Sequence, residues 1–127
     1  MADQRFPRRF RLRKRRSFVR VQRGGHRIKT RHLVVCWTAM RGEDPRYGLT
    51  VSRKVGGAVV RNQVKRWLRE SIRREPMNAV RADVVFIARP SAARSSYVQI
   101  SEQVALVIAR LGRMEGLNPT VSATEPS

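Results

Sequence analysis

Residues 58–75 admit one regular structure. Val60, Val64, Leu68 and Ile72 recur every fourth position, between Gly56-Gly57 and Pro76. That is the period of an α-helix with one packed face. Pro76 ends it, because proline lacks the amide proton that would continue the ladder. A second stripe, Arg61, Lys65, Arg69 and Arg73, follows one residue later, rotated by roughly 100°. Asn62 and Arg66 lie on its far side. A solvated helix face normally mixes charge signs and gains i, i+4 pairs. Here four like charges repel along the helix, which points to an external polyanion. Arginine forks suit phosphate, and the Asn62 amide suits a base edge or a ribose 2′-hydroxyl.

The whole chain repeats that bias. Its 127 residues hold 28 Lys plus Arg against 9 Asp plus Glu, a formal net charge of +19. Such a field disfavours an acidic metal site or a neutral protein partner and favours a polyanion. With 41% hydrophobic residues, one domain can bury roughly two thirds of its unfolded surface. The single cysteine, Cys36, excludes an internal disulfide framework and fits a reducing compartment, with the cytoplasm expected. The longest near-continuous apolar stretch, Leu33 to Met40, falls short of the ~20 residues needed to span a bilayer. No apolar run follows the basic start, so no secretory signal is expected. Nucleic acid and an anionic membrane surface remain as partners.

The periodicities give the order α-β-β-β-α-β-α, an α+β sandwich of one sheet and a few helices. Residues 1–7 are expected to be a loose tail, 8–115 one folded basic domain, and 116–127, rich in Pro, Ser and Thr, a disordered tail. After the charge run Arg8 to Arg16, Ser17 is expected to cap a short helix to Arg23, stopped by Gly24-Gly25. It places Phe18 and Val21 on one face, with Gln22 beside them. Arg27 to Lys29, Leu33 to Thr38, Arg46 to Ser52 and Asp83 to Arg89 read as strands. Ser96 to Gln99 has capping-box spacing. The following helix is expected to bury Tyr97, Ile100, Val104, Val107, Ile108 and Leu111, with Gly112 past its end.

Protein-borne catalysis finds no support. The acids Glu43, Asp44, Glu70, Glu75, Asp83 and Glu102 are scattered, and no nucleophile-elbow, zinc or P-loop motif occurs. Cys36 reads as a small buried hydrophobe, His32 as a surface residue at a strand start, and Trp67 as packed. Phe18 has two readings: a core anchor, or a platform for base stacking flanked by Arg15, Arg16 and Arg20. The strand Arg46 to Ser52 alternates Tyr47, Leu49 and Val51 with Gly48, Thr50 and Ser52. Its small second face invites either bulky side chains or a close ligand.

These residues also form a long motif. A strand from Arg46 to Ser52, the turn Arg53-Lys54-Val55, Gly56-Gly57-Ala58-Val59, and then Arg61-Asn62-Gln63-Val64-Lys65-Arg66-Trp67-Leu68-Arg69 follow in order. The run closely resembles the central signature of the bacterial ribonuclease P protein subunit. The resemblance extends from about Arg8 to Leu111, including Arg11 to Lys14, Phe18, Asp83 to Pro90 and Tyr97. It implies an α/β sandwich whose four-stranded sheet contains a left-handed β-α-β crossover, a fold shared with a ribosomal protein domain and an exception to the usual handedness.

The resemblance implies a protein that assists a catalytic RNA, which with bound magnesium ions removes the 5′ leader from precursor tRNA. No cofactor is expected on the protein itself and no membrane partner. By position, Arg53, Lys54, Arg61, Asn62, Lys65, Arg66, Arg69 and Arg73 are expected to face the RNA subunit. Arg11, Arg13, Lys14, Phe18, Gln22, Cys36, Gly48, Thr50, Ser52 and Arg89 are expected along the leader cleft. There the small side chains of Gly48, Thr50 and Ser52 would leave room for RNA. Gln63, Gly57, Gln22 and Cys36 depart from residues common in the family: Arg at the first, Asn at the second, aromatics at the last two. A basic structural protein of the ribosome is the competing expectation. A conventional protein nuclease is a third, lacking the clustered carboxylates it would need.

Overall fold

The computed structural model describes residues 7–114. The expected tails therefore lie almost wholly outside the described residues. The expected order of elements is present: α1 (Arg15–Arg23), β1 (His26–Lys29), β2 (Leu33–Ala39), β3 (Arg46–Thr50), α2 (Ala58–Arg73), β4 (Ala82–Ala88) and α3 (Tyr97–Arg113). The strands form one mixed sheet in the order β1-β2-β4-β3. β4 pairs antiparallel with β2 and parallel with β3. α2 thus bridges two adjacent parallel strands, since a parallel pair needs a crossover.

Alternation along these strands divides the core in two. Val35, Trp37, Tyr47, Val84 and Phe86 point to one side and pack with Val64, Leu68 and Ile72 of α2 and Ile100, Val104, Ile108 and Leu111 of α3. Each fully buried aliphatic here contributes about 1.5–3 kcal/mol. Cys36 and Val85 point to the other side, where Leu12 and Val21 close a smaller cluster with Phe18, Val34 and Ile87 partly buried around it. The molecule is layered as α1, sheet, then α2 with α3. The Tyr47 hydroxyl donates to the Met77 carbonyl at 2.8 Å inside the larger core, and burial pushes its ionisation far upward.

Several boundaries differ from the sequence reading. α1 starts at Arg15, with Lys14 as N-cap and no side-chain cap. Ser17 sits inside the first turn, its N–H donating to the Lys14 carbonyl at 2.9 Å. Gly24 closes the helix, and Gly25 takes a positive φ of 95° that suits glycine. Val60, in the first turn of α2, is 37% exposed rather than packed. Val55, from the preceding turn, fills the core there instead. Gly112 lies within α3, which runs to Arg113. Ser96 does cap α3, its side chain accepting from the Gln99 N–H at 3.2 Å.

Tyr97 is only partly buried. His32 is buried, not a surface residue. Its Nδ1 lies 2.8 Å from Ser91 Oγ, and its carbonyl accepts from the Arg89 N–H at 2.9 Å. Burial, with Arg31, Arg89 and Arg94 nearby, holds the ring's pKa below its ordinary value.

Candidate nucleic-acid interface

The basic face of α2 forms as the stripe predicts, with two exceptions. Asn62, Arg66 and Arg69 are exposed and Lys65 is half-buried. The Arg61 Nε donates to the Gly56 carbonyl at 3.1 Å, so its side chain folds back over the turn that precedes the helix. Arg73 donates to Glu70 Oε2 at 2.7 Å, and Arg74 lies 3.5 Å from the same oxygen. That hydrogen bond from Arg73, with the charges of Arg73 and Arg74, holds Glu70 below the usual carboxylate range. Arg73 is therefore partly neutralised, unlike Arg69 one turn before it. Arg53 and Lys54 are exposed on the turn leading into α2.

The N-terminal charge run turns out to be structural as well as charged. Phe10 and Leu12 are buried. The Leu12 N–H donates to the Tyr47 carbonyl at 2.8 Å, and Arg11 bridges to Tyr47 in parallel sense. The segment lies along the free edge of β3. Its apolar residues anchor it and leave Arg11 and Arg13 beside the sheet.

A groove of about 340 Å³ runs between this segment, α1, β3 and α2. Arg11, Arg13, Phe18 and Gly48 line it together with Lys65 and Arg69. The structure thus brings residues of both expected surfaces into one groove. Phe18 packs directly on Gly48: a Cβ there would lie 2.6 Å from both Cε2 and Cζ of the ring. The missing side chain at Gly48 makes room for the Phe18 ring.

Thr50, Ser52, Gln22 and Arg89 do not line this groove. Thr50 and Gln22 are half-buried and Ser52 is exposed. Arg89 is exposed at the other end of β4, its guanidinium donating to the Thr30 carbonyl at 2.9 Å. Cys36 is on the correct face of the sheet but wholly buried in the smaller cluster. It offers no surface to a ligand, and burial pushes its thiol pKa up.

Arg11 and Arg13 also line a larger pocket of about 660 Å³, together with Lys14, with Arg16 and Arg20 of α1, and with Arg41, Arg46 and Asp83. Arg20 pairs with the buried Asp83 carboxylate. Sequence reasoning missed this pocket because its residues come from three separated segments, 11–20, 41–46 and Asp83. The signal available was the run of cations on both sides of the turn at residues 41–46.

The family model described as Ribonuclease P matches residues 6–112. The ribonuclease P protein component of Geotalea uraniireducens is 39% identical over 106 residues, covering 84% of this chain and 94% of that protein. That of Desulfovibrio desulfuricans is 39% identical over 113 residues, covering 84% and 86%. Among solved structures, the Staphylococcus aureus RNase P protein superposes with a TM-score of 0.71 at 33% identity, covering 82% of this chain and 98% of that one. The Thermotoga maritima RNase P protein gives 0.66 at 33% identity, covering 84% and 98%. With its α+β fold, the basic face of α2 and its match over nearly all described residues, this chain belongs to the ribonuclease P protein family.

Proposed function

We propose that the groove at Phe18 holds the single-stranded 5′ leader of precursor tRNA while the exposed face of α2 binds the catalytic RNA. As a ribonuclease P protein component, the chain serves an endonuclease that matures tRNA 5′ ends, with the catalytic RNA as a separate subunit. The competing expectation of a structural ribosomal protein falls with that assignment. The observation that carries the proposal is the convergence of Phe18, Arg11, Arg13, Lys65 and Arg69 on one groove.

The roles follow from chemistry. One edge of the Phe18 ring is fixed against Gly48, so the half-buried ring is held in place, and its remaining surface suits base stacking. Arg11 and Arg13 are placed to follow the leader's phosphates on one side, with Lys65 and Arg69 on the other. Asn62, Arg66, Arg53 and Lys54 continue the charge along the exposed side of α2 and its leading turn, where RNA-subunit phosphates would neutralise it. Among the described residues no three of His, Cys, Asp and Glu come together. We assign the magnesium ions of the reaction to the RNA subunit. No helix among the described residues is long and apolar enough to cross a membrane. We place the protein in the cytoplasm, where bacterial precursor tRNA is made.

The test is Phe18→Ala in the assembled holoenzyme. Affinity for precursor tRNA should fall about five- to 150-fold, the equivalent of ~1–3 kcal/mol for one stacked base. Affinity for mature tRNA should hold. Equal loss for both substrates would make Phe18 a core anchor only.

A further inference from the structure

We propose that the pocket bounded by Arg16, Arg20, Arg41 and Arg46 is a second leader subsite, which takes phosphates of the strand after it leaves Phe18. The proposal rests on the leader reading given above. Seven cations line the pocket against one carboxylate, Asp83. That carboxylate is already paired with Arg20. No other carboxylate of the described residues comes within ion-pair distance of the remaining six. The concentration of uncompensated charge in a concave site calls for an anion of several charges.

Hydrogen bonding points the same way. The Arg11 Nε is buried and has no partner. Buried donors are normally satisfied, and an orphaned guanidinium N–H at the mouth of a cationic pocket lacks an acceptor such as a phosphate oxygen. Asp83 Oδ1 is also buried without a partner, but as an acceptor it does not itself recruit a phosphate; the donors of the pocket do.

Continuity identifies the source of the phosphates. The pocket and the Phe18 groove share Arg11 and Arg13. A strand stacked at Phe18 and following these two residues reaches Arg41 and Arg46 next. No residue of α2 lines the pocket, so it is separate from the face assigned to the catalytic RNA. Arg41 and Arg46 are both exposed, and a single-stranded backbone can be gripped there without reading its sequence.

The experiment measures holoenzyme affinity for precursor tRNAs with leaders of increasing length, using wild-type protein and Arg41→Ala/Arg46→Ala. Wild type should gain affinity with the first leader nucleotides and again with longer leaders. The double variant should keep the first gain and lose about five- to tenfold of the second. Its salt slope on the longest leader should be shallower by about 1.4, at ~0.7 per single-strand phosphate contact. An unchanged second gain would overturn the subsite while leaving the Phe18 reading intact. Loss of affinity for the RNA subunit instead would give the pocket to that partner and overturn the proposal. A wild-type protein that gains nothing from any leader would remove both readings.

Discussion

The ring of Phe18 occupies the space that a side chain at Gly48 would need, with a Cβ there 2.6 Å from two ring carbons. The two residues are 30 positions apart, on α1 and β3, and their contact sets one wall of the groove. Gly48→Ala should therefore force the ring outward or strain β3, a form of overpacking that costs about 1–3 kcal/mol. The cost should shrink when Phe18 is already alanine. A double-mutant cycle in urea unfolding measures the coupling. Additive effects would mean the ring moves aside freely.

Neighbouring arginines on α2 should behave differently. Arg69 is exposed and lines the groove, whereas Arg73 is bonded to Glu70. Arg69→Ala should shallow the salt dependence of holoenzyme binding to precursor tRNA by about 0.7, one single-strand phosphate contact. Arg73→Ala should change it by clearly less. Titrations across a range of salt concentrations compare the two, and a larger change at Arg73 would contradict the assignment.

Acid should destabilise the fold through His32. Its folded pKa lies below the ordinary 6.5, first because it is buried and then because Arg31, Arg89 and Arg94 are close. Below pH 6.5 the unfolded chain binds the proton that the folded chain resists, so stability falls as pH drops through that window and is regained as pH rises. Urea midpoints between pH 5 and 7.5 should show this slope, and His32→Gln should flatten it. An unchanged slope in the variant would assign the effect to other groups.

Tyr47→Phe should cost about 1–3 kcal/mol, because it leaves the Met77 carbonyl without its buried donor. Melting temperature reports the loss. No change would mean the carbonyl finds another partner.

α2 was legible because a long, strictly periodic segment declares both its faces. The exception, Val60, shows the limit: periodicity says which side a residue is on, not whether the partner layer extends that far. In the charge run, Phe10 and Leu12 were seen only as interruptions. Their burial depends on pairing with β3, about 35 residues later in the chain, and nothing local encodes that register. His32 was misread for the same reason, since Arg89 and Ser91 bond to it from the segment that follows β4. The small face of β3 was legible as a site of close approach. Whether an aromatic or a ligand fills it was open in the sequence, and the structure places Phe18 there.

The central claim is that this protein assists a catalytic RNA in removing the tRNA leader. Cleavage of precursor tRNA by the RNA subunit at low magnesium, with and without the protein, tests it most directly. The account predicts a clear gain in rate with the protein, weakened by high salt and reduced by Phe18→Ala and Arg69→Ala. An equal rate with and without the protein would contradict it.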